Sequence, residues 1–347
     1  MKELKILAVI TVFTLITYIG IEPFAHSQMN PHTADANFDY EQEDIDLAKV
    51  RIEEAKAALA KAEKALEKNA ADENLINAVE GAKKEVEARE SDLSAYQELW
   101  AQASAIAALE GNAENGAELF AACTACHGLS SQGLESPFDA ALSSESYGVV
   151  VPDLSLAGAV YDKKFLGALI INPAQALKVT KKFNDENPLP MTPFFGFGED
   201  LNQESADIIA YLQSIAPQNV SGKEVFETAC LRCHDVRYDA LYSPTEKNAL
   251  KGYMGSNPPD LSIMIRSRMA DYLESFINDP QKKLDGTAMP RVGLTKEHTA
   301  QVVSYLEKVG DSKKDERTAI GIGMIIFFTI LTFFAYMWKR EVWKDLH

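Results

Sequence analysis

All four cysteines among the 347 residues sit in two copies of one pattern, Cys123-Thr124-Ala125-Cys126-His127 and Cys230-Leu231-Arg232-Cys233-His234. Two thiols three residues apart with an imidazole directly after them form the spacing at which a c-type haem is attached. The thiols add across the two vinyl groups of one porphyrin, and the adjoining residue places an imidazole nitrogen at the iron. A redox Cys-x-x-Cys or half of a zinc site would use the same thiols, but neither calls for the following His in both copies. The expected cofactors are therefore two covalently bound haem c groups, held by Cys123, Cys126, Cys230 and Cys233, with His127 and His234 as proximal iron ligands. The chemistry this allows is one-electron transfer, with no bond made or broken on the chain.

Pure electron transfer asks for a second axial ligand on each iron, and a thioether raises the potential. Of nine methionines, Met1, Met29, Met324 and Met337 lie at the termini or in apolar runs. Met254, Met264 and Met269 read as core packing residues. Met191, in Pro-Leu-Pro-Met, and Met289, in Thr-Ala-Met-Pro, remain as the expected sixth ligands. His298 competes for the second iron but lies at an expected helix start.

The elements that must place these ligands occur twice. Gly116 to Phe120 leads into Cys123 as Gly222 to Phe226 leads into Cys230. Pro152-Asp153-Leu154-Ser155 follows the first motif and Pro259-Asp260-Leu261-Ser262 the second, each starting 29 residues after the first Cys. Apolar helical patterns stop at Asn172-Pro173 and Asp279-Pro280. Closing helices carry Tyr211-Leu212 and Tyr305-Leu306. Two units follow, 112–217 and 218–310.

Ahead of them, residues 41–110 are rich in Ala, Glu and Lys, with 9 basic and 17 acidic residues. Ile45, Ile52, Leu59 and Leu66 recur every seven residues with Ala48, Ala55 and Ala62 between them. After a polar break at 68–74, Val79, Val86, Leu93 and Trp100 recur likewise, with Arg89 interrupting the second row. Heptads with a short link predict an antiparallel helical hairpin. Its role reads as a spacer or scaffold face, with a docking arm as the alternative.

Two apolar runs bracket the whole. Ile6 to Ile21 follows Lys2 and Lys5; with 1–27 it reads either as a cleaved signal peptide or as a retained anchor, the latter preferred. Ala319 to Trp338 is 20 residues, a rise of about 30 Å that matches the hydrocarbon thickness. Lys339, Arg340 and Lys344 follow it, which predicts a cytoplasmic C-terminus and haem units on the opposite side. The fold class is thus mainly α, with one or two transmembrane helices. The formal net charge of −17 argues against nucleic acid as a partner. It fits either steering of a basic or polar soluble partner or solubility alone.

The repeated elements over 112–310 resemble class I cytochrome c domains. The resemblance implies maturation outside the cytoplasm. It also implies that Pro152 and Pro259 offer backbone carbonyls to the ligating histidines and that Leu154 and Leu261 pack on the haems. Pro258-Pro259-Asp260-Leu261-Ser262, Arg266-Ser267-Arg268 and Asp271-Tyr272 are similar to the corresponding run of cytochrome c1, the haem subunit of quinol–cytochrome c reductases, which implies a propionate partner in Arg266. The tail, with Lys339-Arg340 and Trp343, is similar to the cytochrome c1 anchor. The whole chain resembles the dihaem cytochrome c subunit of bc-type complexes of epsilon-class proteobacteria, although the hairpin exceeds that pattern. Implied partners are a Rieske iron–sulfur protein and cytochrome b in the inner membrane, with a soluble periplasmic cytochrome c as acceptor. The alternatives are the dihaem subunit of a terminal oxidase and a dihaem peroxidase, the latter needing an open sixth position on one iron.

Overall fold

The computed structural model describes residues 2–29, 35–184, 186–198 and 200–344. The N-terminal apolar run is helical in α1 (Lys2–Leu15), passes through a π-helical turn (Ile16–Ile21), and continues as α2 (Glu22–Met29). Glu22-Pro23, where the sequence places the end of the run, does not end the helix. A proline is tolerated in a first helical turn, and the π turn before it absorbs the irregular hydrogen bonding.

Ala, Glu and Lys favour helix strongly, and an aspartate starts each of the next two. Asp39 accepts from the Gln42 amide ahead of α3 (Tyr40–Lys68), and Asp72 from the Asn74 amide ahead of α4 (Glu73–Ala108). Their cross-contacts run in opposite senses along the two sequences: Lys56 with Glu90 at 3.1 Å, Asp44 with Trp100 at 2.9 Å, Glu41 with Ser104 at 2.9 Å. The helices are therefore antiparallel. Burial is graded along the pair. Towards the turn Leu59, Leu66, Val86 and Leu93 are only half-buried. At the base Tyr40, Trp100 and Ala103 join Phe165, Ala168 and Ala176 in one core.

The two segments that carry the Cys-x-x-Cys-His motifs use two sets of three principal helices. The first has α5 (Ala113–Leu119), α6 (Lys163–Ile171) and α7 (Leu201–Ile215). The second has α8 (Gly222–Ala229), α9 (Ala270–Asn278) and α10 (Lys296–Gly310). In each, the entering and closing helices cross with their backbones nearly touching. A Cβ on Gly116 would stand 1.9 Å from the Asp207 carbonyl oxygen, and one on Gly222 would stand 2.3 Å from that of Gln301. Beside each crossing an aromatic pair packs at 5.6 Å, Phe120 with Tyr211 and Phe226 with Tyr305. The described residues contain no β-strand beyond three isolated bridges, and one of these, Tyr161 with Leu294, joins the two segments.

The last helix, α11 (Lys314–Val342), starts ahead of the apolar run because its charged first turn is tied down. Arg317 pairs with Asp311 at 2.7 Å, and Lys314 pairs with Glu307 of α10. Lys5–Ala25 and Lys314–Val342 are both long and apolar enough to cross a membrane. Leu7 and Thr11 line a groove together with Phe328, Thr332 and Tyr336, so the two candidate spans lie side by side.

Candidate haem-binding sites

Each Cys-x-x-Cys-His sits where an entering helix runs out. In the first, α5 passes into a 3₁₀ stretch (Phe120–Ala125), and the His127 amide bonds the Cys123 carbonyl at 2.8 Å. In the second, α8 ends at Cys230 and the His234 amide bonds the Cys230 carbonyl at 2.9 Å. This one-turn return puts both sulfurs and the imidazole on one side of the chain.

The imidazoles are held alike. His127 Nδ1 lies 2.9 Å from the Pro152 carbonyl oxygen, and His234 Nδ1 lies 2.8 Å from that of Pro259. A carbonyl can only accept, so Nδ1 carries the proton and Nε2 keeps the lone pair that an iron needs. Burial pushes both imidazoles below the ordinary range, while the Pro152 or Pro259 carbonyl works against it; at His127 the nearby Arg232 also opposes protonation. A neutral ring is the ligating form. Burial also raises the thiols, Cys123 to about 11 and Cys230 to about 12, and none of the four is in a disulfide. Two uncrosslinked thiols and one neutral, oriented imidazole at each site form the donor set that a covalently attached haem requires. Among the described residues no cluster of three or more His, Cys, Asp or Glu offers a separate metal site.

The proline loops are themselves fixed. The Leu154 amide bonds the Gly128 carbonyl and the Leu261 amide bonds the Asp235 carbonyl, both at 2.9 Å. Asp153 and Asp260 accept from the amides of Ser155 and Ser262 at 2.8 and 2.9 Å. Leu154 packs beside Cys123, Phe120 and Phe194, and Leu261 packs in the cluster that holds Cys230.

Met191 is half-buried on the loop before α7, whose far side is tied by the Phe194 amide to the Ile170 carbonyl at 2.9 Å. Met289 is half-buried too, and its carbonyl accepts from Gln281 Nε2 at 2.5 Å. His298 is taken up at the start of α10, with Nδ1 2.7 Å from Thr295 Oγ1. Met254 is a core residue, and Met264 packs against the second core. Met269 is not, being 49% exposed at the N-cap of α9, so core packing does not account for it. Arg266 is exposed and pairs with Asp311 at 3.3 Å.

Sequence reasoning missed a charged cluster beside these sites. Arg291, two residues after Met289, is wholly buried and donates to both Asp44 oxygens at 2.6 and 2.7 Å and to Asp279 at 2.8 Å. Lys178 pairs with the same two carboxylates at 2.7 and 2.6 Å. Burial alone would raise both carboxyls, but Arg291 and Lys178 outweigh it and hold Asp44 and Asp279 below the usual range. The available signal was Asp44 itself, a carboxylate four residues before Ala48 and so on the buried stripe of α3.

A cytochrome c family model matches residues 113–216 and 220–310. Among curated proteins, the chain is 26% identical over 147 residues to the ammonia monooxygenase gamma subunit of Nitrosomonas europaea, covering 31% of this chain and 63% of that protein. The chain thus spans less than two thirds of the length of that relative. Among solved structures, a chain of a hyperthermophilic respiratory Complex III aligns at 24% identity with a TM-score of 0.31, over 36% of this chain and 75% of that one.

Proposed function

Because the chain belongs to the cytochrome c family, we propose that it is a membrane-anchored dihaem electron-transfer subunit of a quinol–cytochrome c oxidoreductase. The observation that carries the reading is the doubled His–Pro geometry: two attachment motifs, each with its imidazole held by a proline carbonyl at 2.8–2.9 Å. The haems, when bound, supply the one-electron chemistry. The chain would hold each through two thioethers, with His127 and His234 oriented as ligands and Met191 and Met289 offered on separate loops.

The membrane assignment draws on the two candidate spans, with the C-terminus cytoplasmic and the haem units periplasmic. The reductase assignment draws on the cytochrome c1-like run 258–272 and the basic, tryptophan-bearing tail. In this reading a Rieske iron–sulfur protein delivers electrons to the second haem and a soluble cytochrome c takes them from the first. Arg266 would meet a propionate by exchanging its exposed pairing with Asp311.

The test is purification of the full chain in mild detergent. A cytochrome b and a Rieske protein should accompany it in fixed proportion. A chain that purifies alone, haem-loaded and monodisperse, would overturn the reductase assignment.

A further inference from the structure

The segment 279–294, which carries Met289, is closed on itself and then gripped from outside. Internally, Asp279 caps the short helix Pro280–Lys283, Gln281 holds the Met289 carbonyl, and Arg291 reaches back to Asp279. Externally, the hairpin meets it at several points. Asp44 takes Arg291 in a two-pronged pair, Tyr40 Oη donates to the Leu294 carbonyl at 2.5 Å, Glu43 pairs with Lys282, and Arg51 approaches Asp285 at 3.8 Å. The Tyr40 ring also lies 5.1 Å beneath the Arg291 guanidinium.

The grip is unequal between the two sites. The hairpin's polar contacts with the first unit reach helices α6 and α7, through Lys163, Lys164 and Asn202. Asp44 also pairs with Lys178 on the stretch between α6 and α7 that carries Met191, but Lys178 lies 13 residues from that methionine, whereas Arg291 lies two from Met289. A planar guanidinium bonded at both nitrogens to one carboxylate fixes angle as well as distance. Fixing Arg291 therefore fixes the backbone two residues from Met289.

We infer that Asp44 is a positioning residue for the second haem, acting through Arg291 to hold the Met289 loop against opening. The hairpin then has a task beyond spacing: it sets how firmly one of two otherwise similar sites keeps its thioether. The inference rests on the assignment of Met289 as an axial ligand.

The experiment uses the full-length, haem-loaded chain and two readouts in the ferric state. One is the long-wavelength charge-transfer band of methionine-ligated iron; the other is the rate of cyanide binding, which requires the methionine to leave. Loss of a charge-assisted bond should raise local opening, and with it the cyanide rate at one haem, by at least about tenfold in Asp44→Asn. The other haem should keep its wild-type rate. Arg291→Lys, which keeps the charge but loses the fork, should give a smaller change at the same haem and serves if Asp44→Asn does not fold. Glu41→Gln, at a hairpin contact away from the loop, should change neither haem.

Unchanged rates in both Asp44→Asn and Arg291→Lys, or equal acceleration at both haems, would overturn the inference. Met289→Ala separates the two levels. If it abolishes one methionine–iron band while Asp44→Asn leaves cyanide binding unaltered, the positioning role alone fails. If it leaves every such band intact, the ligand assignment fails and the inference falls with it.

Discussion

Lys178 and Asp279 form an ion pair of 2.6 Å, 101 residues apart in sequence and almost fully enclosed. Lys178 belongs to the first cytochrome c segment and Asp279 to the second, and Asp44 of the hairpin closes the group from a third direction. Three parts of the chain thus meet at one charge-balanced cluster of Arg291, Lys178, Asp44 and Asp279. Lys178 reaches it from a backbone φ of 57°, a conformation that a lysine rarely adopts unless its surroundings impose it.

Removing one member leaves its partners charged in a buried site. Lys178→Met should therefore destabilise the haem-loaded chain by about 3–5 kcal/mol, the usual cost of breaking a buried pair. Denaturant unfolding followed by circular dichroism reads this directly. A change below about 1 kcal/mol, the range of exposed pairs, would show that the cluster is open to water.

The cluster also sets a pH dependence. Asp44 and Asp279 have folded pKa values below the ordinary carboxylate range. Their contribution is present above the unfolded value of about 3.9 and declines as pH falls through the folded values, because the unfolded chain binds the protons first. Stability should fall below about pH 4 in the wild type, with a shallower slope in Asp44→Asn. Equal slopes in the two proteins would exclude these carboxyls as the source.

At the first helix crossing, Gly116 leaves no room for a side chain, because the Asp207 carbonyl would be 1.9 Å from a Cβ. Gly116→Ala should push α5 from α7 and cost on the order of 1–3 kcal/mol, the range for overpacking. Thermal unfolding should show the loss. Gly321→Ala, in the C-terminal span where a Cβ meets nothing within 4 Å, should leave the midpoint unchanged.

The proline partners of the histidines act through their carbonyls, which every residue possesses. Pro152→Ala should keep the His127 bond and shift the haem's midpoint potential little, whereas Met191→Ala should lower it and remove one methionine–iron band, since thioether ligation raises the potential. Redox titration of the variants distinguishes the two. A large shift in Pro152→Ala with none in Met191→Ala would reverse the roles assigned to these residues.

What the sequence discloses and what it hides follow from the range of each interaction. Cys123 to His127 and Cys230 to His234 are local patterns imposed by covalent chemistry, and the 29-residue step to each Pro repeats. The heptads of α3 and α4 are legible because helix geometry brings them into register. The Asp44–Arg291 pair is not legible, because it joins positions 247 apart and neither residue belongs to a local motif. Met269 misleads for the opposite reason: its apolar character suggests a core, while its place at the cap of α9 leaves it half in water.

In the proposed function, electrons enter two haems on this chain from a quinol system. The direct measurement is the visible spectrum of the complex purified in mild detergent, recorded after quinol is added. Two c-type haems per chain should be reduced, and an inhibitor of the Rieske-side quinol site should prevent it. Haems that stay oxidised with quinol yet reduce with dithionite, or a single haem per chain, would contradict the proposed function.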